Sequence, residues 1–315
     1  IHNITSGSTD NAFFLRGICI YLGITYSEIA VTLHETRKED RRHFFVRRIR
    51  VDGVEAAVQC LDTADLDDIR AGNIEPAITT GATGPAIAPM LKTSWNQSAP
   101  YNNQCPLHDG ERSVTGCTAT AMAQVMKYHE WPQAATSAIP AYTTASLKLS
   151  VPRLSATTFR WDEMKNTYNN GENGSAVAEL MRYCGQSIKS DYSHLSTGAY
   201  TGDVVIALQK YFGYDQNIEM TNLAFHTISE WETLIYNELK EARPVYHAGY
   251  SMGGGHAFVC DGYDGNGMFH FNWGWGGSYD GYYKLVLLNP ETGGIGSGSS
   301  DGYSNGQEII IGIQA

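Results

Sequence analysis

Helical patterning fills the middle of this chain and stops at Pro244; from Val245 onward the patterned segments read as short strands. Helices first and strands last predict an α+β domain, not alternating βαβ units. The first predicted helix runs over 116–130, with Thr115 as its cap and Met122, Val125, Met126 and His129 on its apolar face. Trp131-Pro132 ends it, because proline disfavours helix in the residue before it. A second helix is expected over 176–187, with Val177, Leu180, Met181 and Cys184 inward. A third covers 203–212 and stops at Gly213. A fourth opens on the capping box Ser229-Glu230-Trp231-Glu232. Strands are expected over 245–250, 256–262, 268–273, 282–288 and 308–313. The Gly/Ser-rich stretch 289–307 reads as a mobile surface loop, long enough to serve a function.

At 315 residues with 42% hydrophobic and 17% charged positions, the chain can build a large apolar core. A net charge of −11 makes it a poor partner for nucleic acid or an anionic membrane surface. No apolar run reaches the roughly 18 residues needed to span a bilayer. The six cysteines match neither a C-x-x-C pair nor a zinc pattern, so buried thiols plus one reactive thiol are expected, with no metal and no cofactor. Gly253-Gly254-Gly255 lacks the Gly-Lys-Ser/Thr of a phosphate loop.

The reactive thiol is Cys117, in Thr115-Gly116-Cys117-Thr118-Ala119-Thr120 at the front of the first helix. A helix N-terminus and a nearby imidazolium can lower a thiol pKa from about 8.5 to roughly 3.5–7.5. Gly116 and the small residues after Cys117 are expected to leave the sulfur accessible. His256, behind three glycines at the start of a strand, is the candidate base and acid. A nucleophile on the helical half and a base on the sheet half would face each other across a cleft. The backbone N–H of Cys117 and the side chain of Gln97 are candidate donors to an oxyanion. Cys184 and Cys260 read as buried thiols, and His129 and His270 as structural.

These stretches together resemble the streptopain family of bacterial cysteine proteases. Lys92-Thr93-Ser94-Trp95-Asn96-Gln97, the run from Gly116 to His129, Gly254-Gly255-His256-Ala257-Phe258-Val259 and Phe269-His270-Phe271-Asn272-Trp273-Gly274-Trp275-Gly276-Gly277 carry the likeness, and Asp280-Gly281-Tyr282-Tyr283 with Leu288-Asn289-Pro290 extends it. The likeness covers about residues 90–315. The separation of Cys117 from His256, about 140 residues, also falls within the roughly 130–150 of papain-like enzymes. The resemblance implies a papain-like two-lobe fold and a secreted, extracellular bacterial endopeptidase of broad specificity. It further implies synthesis as a zymogen, action on protein or peptide substrates and a part in virulence. It assigns Cys117 as nucleophile, His256 as general base and Gln97 as oxyanion amide, with Trp273 and Trp275 shielding the imidazole. Asn272 is a candidate to orient His256, although a dyad is favoured over a triad. Gly255, Ser196, Thr197, Gly198 and Trp275 would line the substrate groove, with an apolar residue preferred next but one to the scissile bond on its N-terminal side. The Cys-Gly-Ser-Cys-Trp signature of papain itself is absent. A thiol acyl-transferase or amidase on the same fold, and a non-catalytic host-interaction module, are the alternative readings; the second would be marked by loss of the Cys, His or Gln, and none is lost.

The domain division follows: 1–86 as an N-terminal region and 87–315 as the protease domain. The N-terminal region is a divergent or partial prosegment, able to inhibit the enzyme until cleavage between about Gly81 and Lys92, or an unrelated segment. It holds an apolar stretch over 12–24, read as a buried element or an export remnant, and a charged run over 37–50 with a strand at 44–46. Residues 79–85 read as a linker. The chain opens on Ile1, which is read as a removed leader or a fragment.

Overall fold

The computed structural model describes residues 84–290 and 302–314, and before them the backbone of five strands. The expectations for 12–24, for 79–83 and for the middle of the 289–307 loop lie outside the described residues. The chain divides into two compact units, Ile1–Gly81 with His226–Trp231 and Ala82–Phe225 with Glu232–Ala315.

The first unit contains one antiparallel sheet. Strands β1 (His2–Ile4), β2 (Ile29–Glu35), β3 (His43–Val51) and β4 (Val54–Ala56) pair in sequence order, and β5 (Leu61–Asp62) also pairs with β3. The strand expected at 44–46 lies near the start of the longer β3.

The second unit is α+β, the class expected from the sequence. After the small hairpin β6 (Leu107–His108) and β7 (Glu111–Arg112) comes α1 (Cys117–His129). Every α1 residue from Thr118 to Met126 is buried, so this is a core helix and not a one-faced surface helix. Its start departs from expectation. Gly116, not Thr115, is the N-cap, and no side chain caps the helix. The Thr115 hydroxyl instead meets that of Thr120 at 2.8 Å. Gly116 has φ 86°, and a Cβ there would lie 2.6 Å from the carbonyl oxygen of Thr197. Only glycine fits such a conformation and such an approach.

Strands β8 (Tyr142–Thr143) and β9 (Ser150–Val151) form a second small hairpin, followed by α2 (Ser175–Ser187) and α3 (Thr201–Tyr211). Val177, Leu180, Met181 and Cys184 of α2 are fully buried, as the helical spacing required. Strand β10 (Glu219–Asn222), absent from the sequence reading, precedes α4 (Ile228–Lys240). The capping box of α4 sits two residues earlier than expected. The Thr227 N–H donates to Glu230 Oε2 (2.8 Å), and the Glu230 N–H to Thr227 Oγ1 (3.2 Å).

The main sheet is completed by β11 (Val245–Ser251), β12 (Gly254–Tyr263), β13 (Phe269–Asn272), β14 (Gly281–Tyr283) and β15 (Asn305–Ile311), in the antiparallel order β10-β15-β11-β12-β13-β14. The strand expected over 282–288 ends at Tyr283. Leu285 and Leu288 are buried while Val286 and Leu287 are exposed, a three-residue spacing that strand alternation cannot produce. The loop expected over 289–307 is shorter at its end, because Asn305–Gln307 already belong to β15. Met122, Val125 and Met126 of α1 share one hydrophobic cluster with Leu180, Met181, Val259 and Ile310, so helices and sheet are joined through a single core.

Candidate active site

Cys117 is the first residue of α1 and is half-buried. It lines a cavity of about 430 Å³. Gln97 reaches the same cavity because its carbonyl accepts the Thr115 N–H at 3.0 Å, which pins its segment beside the helix start. His256, on β12, lines it from the sheet side, opposite Gly249 of β11. Ser196, Thr197 and Gly198 form one wall, and Gly255 and Trp275 contribute others. Thr197 is held by its hydroxyl, which donates to the Ser193 carbonyl (3.0 Å), while the Gly198 carbonyl accepts from Asp191 N–H (2.8 Å). Thus eight of the ten residues singled out in the sequence meet in one cavity. The other two, Asn272 and Trp273, lie behind it.

His256 is almost fully buried in an aromatic surround. The Trp275 ring stacks on the imidazole at 4.5 Å between centroids, Tyr303 lies at 5.3 Å, and Trp273 lies nearly parallel at 6.2 Å. Nε2 is 2.8 Å from the carbonyl oxygen of Trp273. A carbonyl only accepts, so in neutral His256 the proton resides on Nε2 and the lone pair on Nδ1. Burial lowers the imidazole pKa to about 4, partly offset by the Trp273 carbonyl.

The thiol departs from expectation in the same sense. Burial pushes the Cys117 pKa up; the Ala257 N–H, the Thr118 hydroxyl and N–H, and the Cys117 N–H face the sulfur and pull it back. The helix start therefore acts as expected, but desolvation outweighs it, and each group taken singly favours its neutral form. These donors come from both halves of the unit: α1 supplies three, and β12 supplies the Ala257 N–H.

Asn272 does not orient His256. Its Nδ2 donates to the Thr93 carbonyl (2.7 Å), and its Oδ1 accepts from Gln124 Nε2 (2.9 Å) and Gly274 N–H (3.1 Å). Gln124 Oε1 in turn accepts the Thr93 hydroxyl at 2.9 Å. This closed ring of buried groups joins α1, the segment leading to Gln97 and the turn carrying Trp273. The Gly276 N–H adds a second tie to that segment through the Trp95 carbonyl (2.9 Å).

Sequence reasoning missed Tyr246, Ala248 and Tyr250, which line the cavity from β11. Strand alternation was the available signal: every second residue of β11 points to one face. It also missed Asn96, Leu195 and Thr201, which irregular segments and a helix start bring to the same place.

The peptidase C10 family matches residues 95–283 of this chain. The thiol protease/hemagglutinin PrtT of Porphyromonas gingivalis is 37% identical over 245 residues, which are 73% of this chain and 28% of that protein. Streptopain of Streptococcus pyogenes is 35% identical over 253 residues, 73% of this chain and 63% of streptopain. The chain thus spans less than two thirds of either relative. Among solved structures, active wild-type interpain A, a cysteine protease of Prevotella intermedia, is 31% identical with a TM-score of 0.65, covering 77% of this chain and 100% of that one. A prointerpain A fragment of the same organism shares the fold at 24% identity and a TM-score of 0.62, over 91% of this chain and 99% of that one. The resemblance carried by the Cys117, His256 and Asn272-Trp273 stretches is borne out, and the chain belongs to the peptidase C10 family.

Proposed function

We propose that this chain is a cysteine endopeptidase that cleaves protein or peptide substrates through an acyl-enzyme on Cys117. The observation that carries the reading is convergence: Cys117, His256 and Gln97, from three distant segments, line one cavity. In this reading His256 Nδ1 takes the thiol proton as Sγ attacks the scissile carbonyl. The Cys117 N–H and the Gln97 amide stabilise the oxyanion. Collapse of the tetrahedral adduct expels the amine, which takes its proton from His256. Water then attacks the thioester with His256 again as base, and Cys117 is released. The stacked Trp275 excludes water from one face of the imidazole. Gly255 and Ser196 to Gly198 hold the substrate, and Asn272 serves as a brace behind the cavity. Among the described residues no helix is long and apolar enough to cross a membrane.

Residues 1–86 are proposed as a prosegment and 87–315 as the enzyme, made as a secreted zymogen. The supporting observation is coverage: the alignable share of this chain rises from 77% with active interpain A to 91% with the prointerpain fragment. Secretion rests on the family resemblance.

Incubation with casein and a reductant, with and without a thiol-directed epoxide, tests the proposal. Hydrolysis that the epoxide abolishes, with the label on Cys117 alone, is the expected result. Cys117→Ala should remove activity while leaving the fold intact; substantial residual hydrolysis would exclude the assignment. Acyl transfer to an added amine without net hydrolysis would move the reading to a transferase.

A further inference from the structure

Asp280 has no part in the chemistry above, yet it is two hydrogen bonds away from His256. Its Oδ1 accepts the Trp273 N–H at 2.9 Å, and the carbonyl of the same Trp273 holds His256 Nε2 at 2.8 Å. That carbonyl decides which imidazole nitrogen keeps the proton. The turn beyond it is closed internally by a long bond, Ser278 N–H to the Trp275 carbonyl at 3.4 Å. Gly274, Gly276 and Gly277 all have left-handed φ values of 70°, 71° and 86°, a conformation that glycine adopts freely and also leaves freely. Its direction is therefore set by side-chain and backbone anchors. Asn272 Oδ1 takes the Gly274 N–H, the Trp95 carbonyl takes the Gly276 N–H, and Asp280 takes the Trp273 N–H, nearest to the histidine. The Asp280 N–H closes the loop on the Gly277 carbonyl at 3.4 Å.

We infer that Asp280 is a positioning residue for the proposed proteolysis, fixing the Trp273 peptide so that its carbonyl holds His256 with Nδ1 aimed for proton transfer. The inference rests on the cysteine-protease reading. The surroundings suit an anchor held in place. Asp280 is half-buried, and His270, itself 2.6 Å from the fully buried Asp261, lies close enough to favour its charged form. Burial, the largest effect, together with the Asp261 charge outweighs the Trp273 N–H and His270 and sets its pKa at about 6.

The test compares Asp280→Ala and Asp280→Asn with the unaltered chain, with rates expressed per Cys117 titrated by epoxide so that misfolded protein does not count. Loss of the anchor should lower kcat by about 10²-fold, the scale of a misplaced catalytic group, with KM within about twofold. Asp280→Asn keeps an oxygen acceptor and should recover most of that loss. Independently of turnover, the Nε2–H proton of His256 should give a slowly exchanging NMR resonance in the unaltered and Asn forms and lose it in the Ala form. Unchanged kcat per titrated site in Asp280→Ala, an Asn variant as impaired as Ala, or an Nε2–H signal that survives in Ala would each overturn the inference. Failure of the unaltered chain to cleave casein or take the epoxide would instead overturn the protease reading, while the NMR comparison would still decide whether Asp280 holds the histidine.

Discussion

Cys117 and His256 line one cavity, and the proposed chemistry makes each depend on the other. Burial raises the thiol and lowers the imidazole, so neither is pre-ionised by its surroundings alone. In the proposed mechanism a proton passed from sulfur to Nδ1 creates two opposite charges at once, and each then offsets the burial of the other. Removing the imidazole leaves a thiol with burial against it and only a few N–H and O–H donors in its favour. In His256→Ala, alkylation of Cys117 by iodoacetamide at neutral pH should fall by about 10²–10⁴-fold, the usual worth of a positioned base, and recover only in alkaline buffer. An unchanged alkylation rate would mean that the helix start activates the sulfur unaided. The backbone of Gln97 is tied to Thr115 whether or not its amide donates, so Gln97→Ala should keep the fold and lower kcat by roughly 10²–10³-fold. A wild-type kcat would remove it from the oxyanion site.

The elements were legible where a period ran unbroken. The α1 and α2 patterns and strands β11, β12 and β13 appear close to their expected bounds, because burial on one face leaves a 3.6- or 2-residue trace in the sequence. Several features were not legible, among them the end of the strand expected over 282–288. The Thr115 hydroxyl is drawn to Thr120, a tertiary choice that no local capping rule anticipates. Strand β10 is only four residues long and alternates weakly. Asn272 lies next to the tryptophan that does hold His256, but its carboxamide turns to Thr93 and Gln124, 179 and 148 residues away in the chain. The resemblance named residues of which eight line one cavity, but only their hydrogen bonds separate Trp273, whose carbonyl meets the histidine, from Asn272, which braces the elements. That brace makes a prediction. Gln124→Ala leaves the buried Thr93 hydroxyl without its acceptor and Asn272 Oδ1 without one donor, a loss of about 1–3 kcal/mol in unfolding free energy. Activity should fall with it, since the ring joins α1 to the segments of Gln97 and Trp273. Urea unfolding together with kcat per titrated thiol checks both; full stability in the Ala variant would show that the ring is not a tie.

At the scale of the whole molecule, the buried histidines couple folding to pH. Burial lowers His247 to about 3 and both His129 and His256 to about 4, from an ordinary value of 6.5. Unfolding releases all three into water, where they take up protons below about pH 6.5. Between that point and about pH 4 the unfolded chain therefore binds more protons than the native one, and stability must fall as pH falls. Asp280 acts in the opposite direction: its pKa is raised from 3.8 to about 6, so acidification through that range favours its folded form. Three histidines, each shifted by more than this one carboxyl, outweigh it. Urea midpoints should thus drop steadily from pH 7 to pH 4. The share of His247 can be isolated, because its Nε2 donates to Gln307 Oε1 at 2.9 Å and the ring stacks on Phe258 at 5.0 Å. His247→Gln should lower stability at pH 7 through lost packing, yet flatten the slope between pH 6.5 and 4 by up to one proton's worth. A slope identical to that of the unaltered chain would mean that His247 is already charged in the folded protein, and that the sheet, not the imidazole, bears the cost of its burial.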